Sequence, residues 1–300
     1  MQIDAFAPLI ITGMTKSLGI LFVASEADPF VKTGSIGEIA GSLPKTLKEL
    51  GHDVRLMLPS YSLISPRRFQ IHNLLRMKNI EVPVGSQMVP AYVRSSYINS
   101  ENQKVLVYFL ANDGYFNREG LYFHPLTKKY FSDNDERFIF FCRGVLEMLK
   151  RLQWQPHIIH CNDWQCGLIP AYLKSIYKND PYFKNIKSVF TVFSLATHAT
   201  FPISSFEKTG LPASLFSGNG GLGEKFNFLK VGLSFADAIT TYGSRAEKGI
   251  RSSSQDETEH LLQARKNDII ALQAASHSGN GQAQLAQKIV DVYRDLLKNG

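Results

Sequence analysis

The sequence predicts an α/β protein built on a doubly wound, Rossmann-like, mostly parallel sheet. Three observations carry that expectation. Residues 18–25, LGILFVAS, form a continuous apolar run of strand length, the kind buried on both faces of a parallel sheet. Ile36, Ile39, Ala40, Leu43, Leu47 and Leu50 then recur at helical spacing, and residues 53–58, DVRLML, read as the next strand. Strand, loop, helix and strand in that order make a right-handed βαβ crossover, and strands continue to alternate with helices downstream.

The elements follow in order. Ser35 and Glu38 supply an S-x-x-E capping box for the first helix, and Gly51 its stop. Residues 78–110 are extended and end in KVLVYFL; a turn-rich loop starts at Asn112. Residues 135–154 are helical, with Phe138, Phe141, Cys142, Val145, Met148 and Leu149 on one side. Residues 157–161, HIIHC, form a short buried strand, and 167–177 a helix. Strands 189–192 and 238–241 complete the sheet, with helix 226–236 preceding the latter.

Four segments divide the chain. Residues 1–17 read as an N-terminal extension, because the apolar patch there carries Asp4 and lacks a basic leader. Residues 18–250 form the domain. Residues 251–282 are polar and then rich in Gly and Ser, the composition of a crossover and linker. Residues 283–300 form an amphipathic helix, and its stripe of Leu285, Ile289, Val292, Tyr293, Leu296 and Leu297 has to dock back on the domain to be buried.

The balance of 33 basic and 26 acidic side chains gives a net charge of +7, which favours anionic partners. The basic residues are scattered, with short pairs such as Arg67-Arg68 and Lys128-Lys129, so nucleic acid is not expected. Cys142, Cys161 and Cys166 read as buried thiols in a reducing compartment. Their spacing is not that of a zinc site, so neither a metal nor another cofactor is expected. No apolar run reaches membrane-spanning length, and the expected location is cytoplasmic.

Ligands of doubly wound sheets bind outside the carboxyl ends of the strands. The loop EADPFVKTGS stands there, with Gly34 open to close backbone approach, Lys32 adding charge and the helix start offering N–H groups to an anion. Its Gly34-x-x-Gly37 spacing matches no common nucleotide loop, and a tight turn plus a cap explains it equally well. Asn162-Asp163-Trp164-Gln165, the segment 193–200 and the loop 115–122 fall at the same edge. A polar quartet with aromatics suits a sugar, whose hydroxyls need directional partners and whose ring faces stack. His198 is a lone loop histidine, and His157 and His160 read as satisfied core groups. No Ser-His-Asp order or paired-carboxylate spacing marks a hydrolase.

Taken together, these residues resemble the bacterial glycogen and plant starch synthases, glycosyltransferase family 5. The opening ILFVASEADPFVKTGSIGEIAGSLPKTLKELGHDVRLMLP is similar to that family's start. DGYFNREGLY, DNDERFIFFCRGVLE, PHIIHCNDWQCGLIPAYL and NFLKVGLSFADAITTYG resemble its later blocks in the same order. The resemblance implies one lobe, the acceptor side, of a two-lobed glycosyltransferase fold. It implies retaining transfer of glucose from ADP-glucose to an α-1,4-glucan. It places Lys32 at donor phosphate, Gly34 and Glu38 in the loop, and Tyr122, Asp163, Gln165 and Asn227 along the sugar or acceptor site.

Departures from the pattern set a second expectation. The family motif T-[IV]-H-N-L-A-[YH]-Q-G-x-F-P aligns on TVFSLATHATFP, so Phe193 replaces the histidine that would hold the transferred sugar, and Ser194 the asparagine. Ser35 replaces the second loop glycine, Glu38 the loop aspartate, and Gln165 the histidine of DWH. The segment LLQARKNDIIAL resembles the start of the crossover to a second lobe, and AQLAQKIVDVYRDLL the family's returning final helix. Three function classes stay open: a glucosyltransferase that is impaired alone or borrows a donor lobe from a partner, a non-catalytic module that binds α-glucan (a maltooligosaccharide) or a synthase subunit, and a sugar-phosphate or nucleotide sensor using Lys32 and the helix start at Ser35. Phe193, Phe201 and Phe206 are expected to form an apolar floor facing water, and with it self-association or a partner.

Overall fold

The computed structural model describes residues 16–100, 103–195, 197–216, 224–243, 265, 269–272 and 279–298. Most of the predicted extension 1–17, and all of the crossover and linker except Arg265, 269–272 and 279–282, lie outside the described residues.

The chain enters through β1 (Gly19–Val23), α1 (Ser35–Glu49) and β2 (Asp53–Pro59), the predicted crossover. An antiparallel excursion follows: β3 (His72–Asn73), β4 (Ile80–Val84), β5 (Gln87–Asn99) and β6 (Lys104–Ala111). One short turn, α2 (Asp113–Phe116), leads by a loop to α3 (Asn134–Leu152), β7 (Ile158–Asn162), α4 (Leu168–Lys174) and β8 (Lys187–Val192). Then come β9 (Thr200–Pro202), α5 (Ser204–Thr209), β10 (Lys225–Asn227), α6 (Phe228–Phe235) and β11 (Ala238–Tyr242). β12 (Ile269–Leu272) and α7 (Gly279–Lys298) close the described chain.

The main sheet runs β12-β11-β8-β7-β1-β2-β6-β5-β3, with β4 pairing β5. From β12 to β6 every pairing is parallel; β5 turns the edge antiparallel. Helices α3, α4 and α6 pack together, while α1 packs on α7. All five residues of β1 and all five of β7 are buried; β1 accordingly reads as an unbroken apolar run, whereas β7 carries the buried polar residues His160 and Asn162.

Three local expectations change. The capping box does not form: Gly34 is the N-cap, Ser35 is the first helical residue, and no side chain caps the end. Glu38 instead reaches Lys32 Nζ at 3.9 Å. β12, inside the predicted crossover, adds a strand to the sheet through parallel pairs such as Ile239 with Ile269. The expected apolar floor is not bare, since Phe193, Phe201 and Phe206 are all half-buried. Their rings lie 5.4 Å from Tyr242, 4.7 Å from Phe228 and 5.4 Å from Phe226 respectively.

The docking of α7 has a polar centre. Tyr293 is fully buried, and its hydroxyl lies 2.5 Å from His160 Nδ1 on β7. His160 Nε2 meets Thr191 Oγ1 at 2.5 Å, and Thr191 meets Thr240 Oγ1 at 2.5 Å. One hydrogen-bonded row thus crosses β7, β8 and β11 and ends on the helix. Burial holds the His160 pKa down at about 3, so the ring stays neutral. His157 is different: it is exposed, and its Nδ1 accepts from Gly19 N–H at 2.8 Å.

Among the described residues no helix is long and apolar enough to cross a membrane. Among them, too, no group of three or more His, Cys, Asp or Glu is placed to hold a metal ion.

Candidate functional site

The carboxyl ends of β1 and β7 lie side by side, because Val23 pairs with Cys161. Everything that follows those two strands therefore converges on one edge. Ser25 and Glu26 leave β1 buried, Glu26 being 2% exposed. The Glu26 carboxylate accepts from Thr33 N–H and from Thr33 Oγ1 at 2.9 Å, which closes the loop between them. Tyr122, arriving from the loop before α3, sets its hydroxyl 2.7 Å from Ser25 Oγ and 3.1 Å from Glu26 Oε1.

Two glycines of α1 seat this loop. A Cβ on Gly41 would stand 2.4 Å from the Asp28 carbonyl oxygen, and one on Gly37 would stand 2.8 Å from Lys32 Cγ. The loop can lie flat on the helix only because both lack side chains. Gly34 is the opposite case: its backbone is extended, and an added Cβ would meet nothing within 4 Å. The space beside Gly34 is open for another molecule to approach.

Asp163 follows β7 and is the most constrained residue of the edge. Its φ of 60° and ψ of −179° fall in a region that glycine normally occupies, at a cost of roughly 1–3 kcal/mol. The surrounding bonds enforce it: Asp163 N–H donates to Thr191 O at 2.8 Å, and its carbonyl accepts from Cys166 N–H at 3.0 Å. The side chain is 3% exposed, and its Oδ1 has no hydrogen-bond partner among the described residues. Burial, reinforced by the charge of Glu26, pushes the Asp163 pKa up to about 7. Asn162 Oδ1 and Gln165 Oε1 are likewise buried and unpartnered. Three unpaired acceptors in four consecutive residues mark a place where donors from another molecule belong.

Aromatic rings frame the cluster. Trp164 lies 6.3 Å from Tyr122, 5.0 Å from Phe138 and 5.7 Å from Phe201. Behind them Gly167 packs so closely on α6 that a Cβ would stand 2.1 Å from Phe228 O.

The structure gathers Tyr122, Asp163 and Gln165 at this edge and sets Lys32, Gly34 and Glu38 on its rim. Lys32 is exposed and ion-paired to Asp28 at 3.3 Å. Asn227 starts α6: its Oδ1 accepts from Lys230 N–H at 2.9 Å and its Nδ2 donates to Thr200 Oγ1 at 2.8 Å, so its amide serves as a cap. Phe193 follows β8 directly, and His198 stacks on Tyr130 at 4.3 Å.

Sequence reasoning missed two residues. Glu26 was visible only as an acid directly behind an apolar strand. Arg137 is fully buried and donates to Tyr115 O at 2.8 Å, Leu121 O at 2.9 Å and Asn134 Oδ1 at 2.6 Å. It fixes the loop that delivers Tyr122. An arginine amid the aromatics of a predicted helix was its one signal.

A family model described as the starch synthase catalytic domain matches residues 19–264. The chain belongs to the starch synthase catalytic-domain family. Among its relatives in this family is a glycogen synthase of Chlorobium luteolum, 38% identical over 226 residues, covering 75% of this chain and 46% of the relative. A glycogen synthase of Desulforamulus reducens is 39% identical over 227 residues, covering 74% of this chain and 44% of its own. The chain thus spans about half the length of the starch synthase family members it matches. In three dimensions it is similar to the catalytic domain of starch synthase IV from Arabidopsis thaliana, solved with ADP and acarbose. The TM-score is 0.72 at 20% identity, over 87% of this chain and 52% of the other, a likeness of fold.

Proposed function

We propose that this domain holds an α-1,4-glucan at the carboxyl edge of its sheet, in the acceptor role of a glycogen or starch synthase. Glucose transfer from ADP-glucose is impaired in it. Family membership supports the substrate class, and the ADP and acarbose bound by the Arabidopsis neighbour are consistent with it. Asp163, Gln165 and Asn162 supply acceptors for sugar hydroxyls, and Tyr122 and Trp164 supply ring faces. Lys32 and the open face of Gly34 form the approach for donor phosphate. Asn227, fixed as a cap, shapes the wall of the site through α6.

The observation that carries the impairment is Phe193. By the resemblance, this position belongs to an imidazole that hydrogen-bonds the transferred sugar. Here a half-buried phenyl ring leans on Tyr242 at 5.4 Å and can neither donate nor accept. A site that loses one such partner loses orders of magnitude in discrimination and rate.

The test measures incorporation of labelled glucose from ADP-glucose into glycogen, beside co-sedimentation of the protein with glycogen. Binding with little or no incorporation is expected, with Phe193→His raising incorporation at least tenfold where a donor-side lobe is supplied. Turnover at the level of an intact synthase would overturn the impairment, and absence of glycogen binding would overturn the acceptor role.

A further inference from the structure

A cavity lies along the same sheet edge, away from Glu26 and Asp163. Its volume is about 470 Å³, and Asn73, Lys78, Asn79, Tyr92, Asn112 and Asp113 line it. That size lies within the roughly 300–1,000 Å³ of small-molecule sites. Tyr92 lies on β5, three strands from β1 in the sheet order, and pairs with Ala111 at the carboxyl end of β6. At about 4.8 Å per strand, the cavity stands roughly 14 Å to the side of the Glu26 loop.

The walls are built in advance. Tyr92 donates its phenol hydrogen to Asp113 Oδ1 at 2.9 Å and accepts from Arg94 Nη2 at 3.2 Å. Arg94 Nε is spent on Asn73 Oδ1 at 3.2 Å. Asn112 is spent on Pro90 O at 2.9 Å and on Tyr115 N–H at 3.0 Å. What these bonds leave for a ligand is the second oxygen of Asp113, the Asn73 amide hydrogens, the Asn79 amide and the Lys78 ammonium. Pro90, Ala91 and the Tyr92 ring add an apolar strip.

We propose that this cavity is a second saccharide site, which retains the outer part of an α-glucan chain whose end occupies the Asp163 cluster. The chemistry selects a neutral polyol. The Asp113 carboxylate opposes a phosphate or carboxylate and balances the single ammonium among the described lining residues, Lys78, while the Arg94 guanidinium already serves Asn73 and Tyr92. Paired amide and carboxylate groups beside an aromatic ring match a sugar's hydroxyl rim and its C–H face. The inference rests on α-glucan as the ligand of this edge, but its residues are distinct from those of the first cluster.

The test is an NMR titration of the full chain with maltoheptaose, reading backbone amide shifts at both places. Expected are two sets of perturbed amides, one around Asp163 and one around Asn73, Asn79 and Asp113. Tyr92→Ala should weaken the second set about tenfold while leaving the first in place. Asn79→Gly is the companion variant: Asn79 has φ of 55°, which glycine adopts without strain, so the fold is kept while the amide is lost. Asp163→Asn should weaken the first set and spare the second. Maltoheptaose shifts confined to the Asp163 set overturn this inference alone. Shifts at neither set overturn the glucan reading and this one together. Cavity shifts with glucose 6-phosphate in place of maltoheptaose overturn the choice of a neutral ligand.

Discussion

Asp163 combines a backbone conformation suited to glycine with a carboxyl oxygen, Oδ1, that is buried from water and has no hydrogen-bond partner among the described residues. Such a residue survives where its neighbours over-determine it, and these combinations gather at functional sites. Its titration gives a direct check. The folded pKa is raised to about 7 from 3.8, so the folded state keeps the proton to higher pH. The stability this group contributes is full below about pH 4 and is lost as pH rises through 7. Asp163→Asn removes that dependence. In urea unfolding the variant is therefore expected to gain on the parent between pH 4.5 and pH 8, by about 4 kcal/mol at the outside. A constant difference between the two proteins across that range would contradict the buried, protonatable carboxyl.

Among the elements, α1 shows how a helix can serve a loop. Gly41→Ala improves helix propensity by about 1 kcal/mol, yet its methyl would stand 2.4 Å from Asp28 O. The contact is with backbone and has to be relieved by moving the loop, so a net loss of about 1–3 kcal/mol is expected in thermal unfolding. Gly34→Ala is expected to leave the melting temperature within a degree or so while weakening ligand binding, because only an incoming molecule would meet the new methyl. The terminal helix α7 offers the second check at this scale. Tyr293→Phe keeps the ring but strands His160 Nδ1, and about 1–3 kcal/mol should be lost. Hydrogen exchange reads it locally: amides of residues 285–296 should open faster, with those of β2 and β6 little changed.

At the level of the whole molecule, His160 joins the far end of the chain to the centre of the sheet. Its folded pKa is depressed from 6.5 to about 3, so its contribution to stability is present above pH 6.5 and is lost as pH falls toward 3. Acid should therefore loosen the molecule through this row, with α7 leaving first. Urea midpoints measured at pH 7 and pH 4.5 are expected to fall more steeply for the parent than for His160→Gln, which has no proton to take up. Parallel slopes would place the acid sensitivity elsewhere. The same frame explains why the candidate site sits where it does. Parallel strands align their carboxyl ends, and Ser25, Glu26, Asn162 and Asp163 meet because β1 and β7 are neighbours.

By itself the sequence determined the parallel core, the first crossover and the family. Strands buried on both faces must be continuously apolar, helices packed on one face must repeat at helical spacing, and the ordered blocks carry a common inheritance. It also placed Tyr122, Asp163 and Gln165 at the carboxyl edge of the sheet, where the structure has them, and read His160 as a satisfied core group. The tertiary structure decided the rest, because the rest depends on contacts between residues distant in the chain. Glu26 becomes a site residue only when Tyr122, 96 positions away, arrives beside it. Arg137 declares its role only once the loop it holds has folded back, and Ser35 looks like a cap until the helix begins one residue earlier than a capping box requires. The strand 269–272 was illegible because four apolar residues after a polar stretch gain strand character only from the neighbour they pair with. Local patterns report what a segment buries; which partner buries it is settled by topology alone.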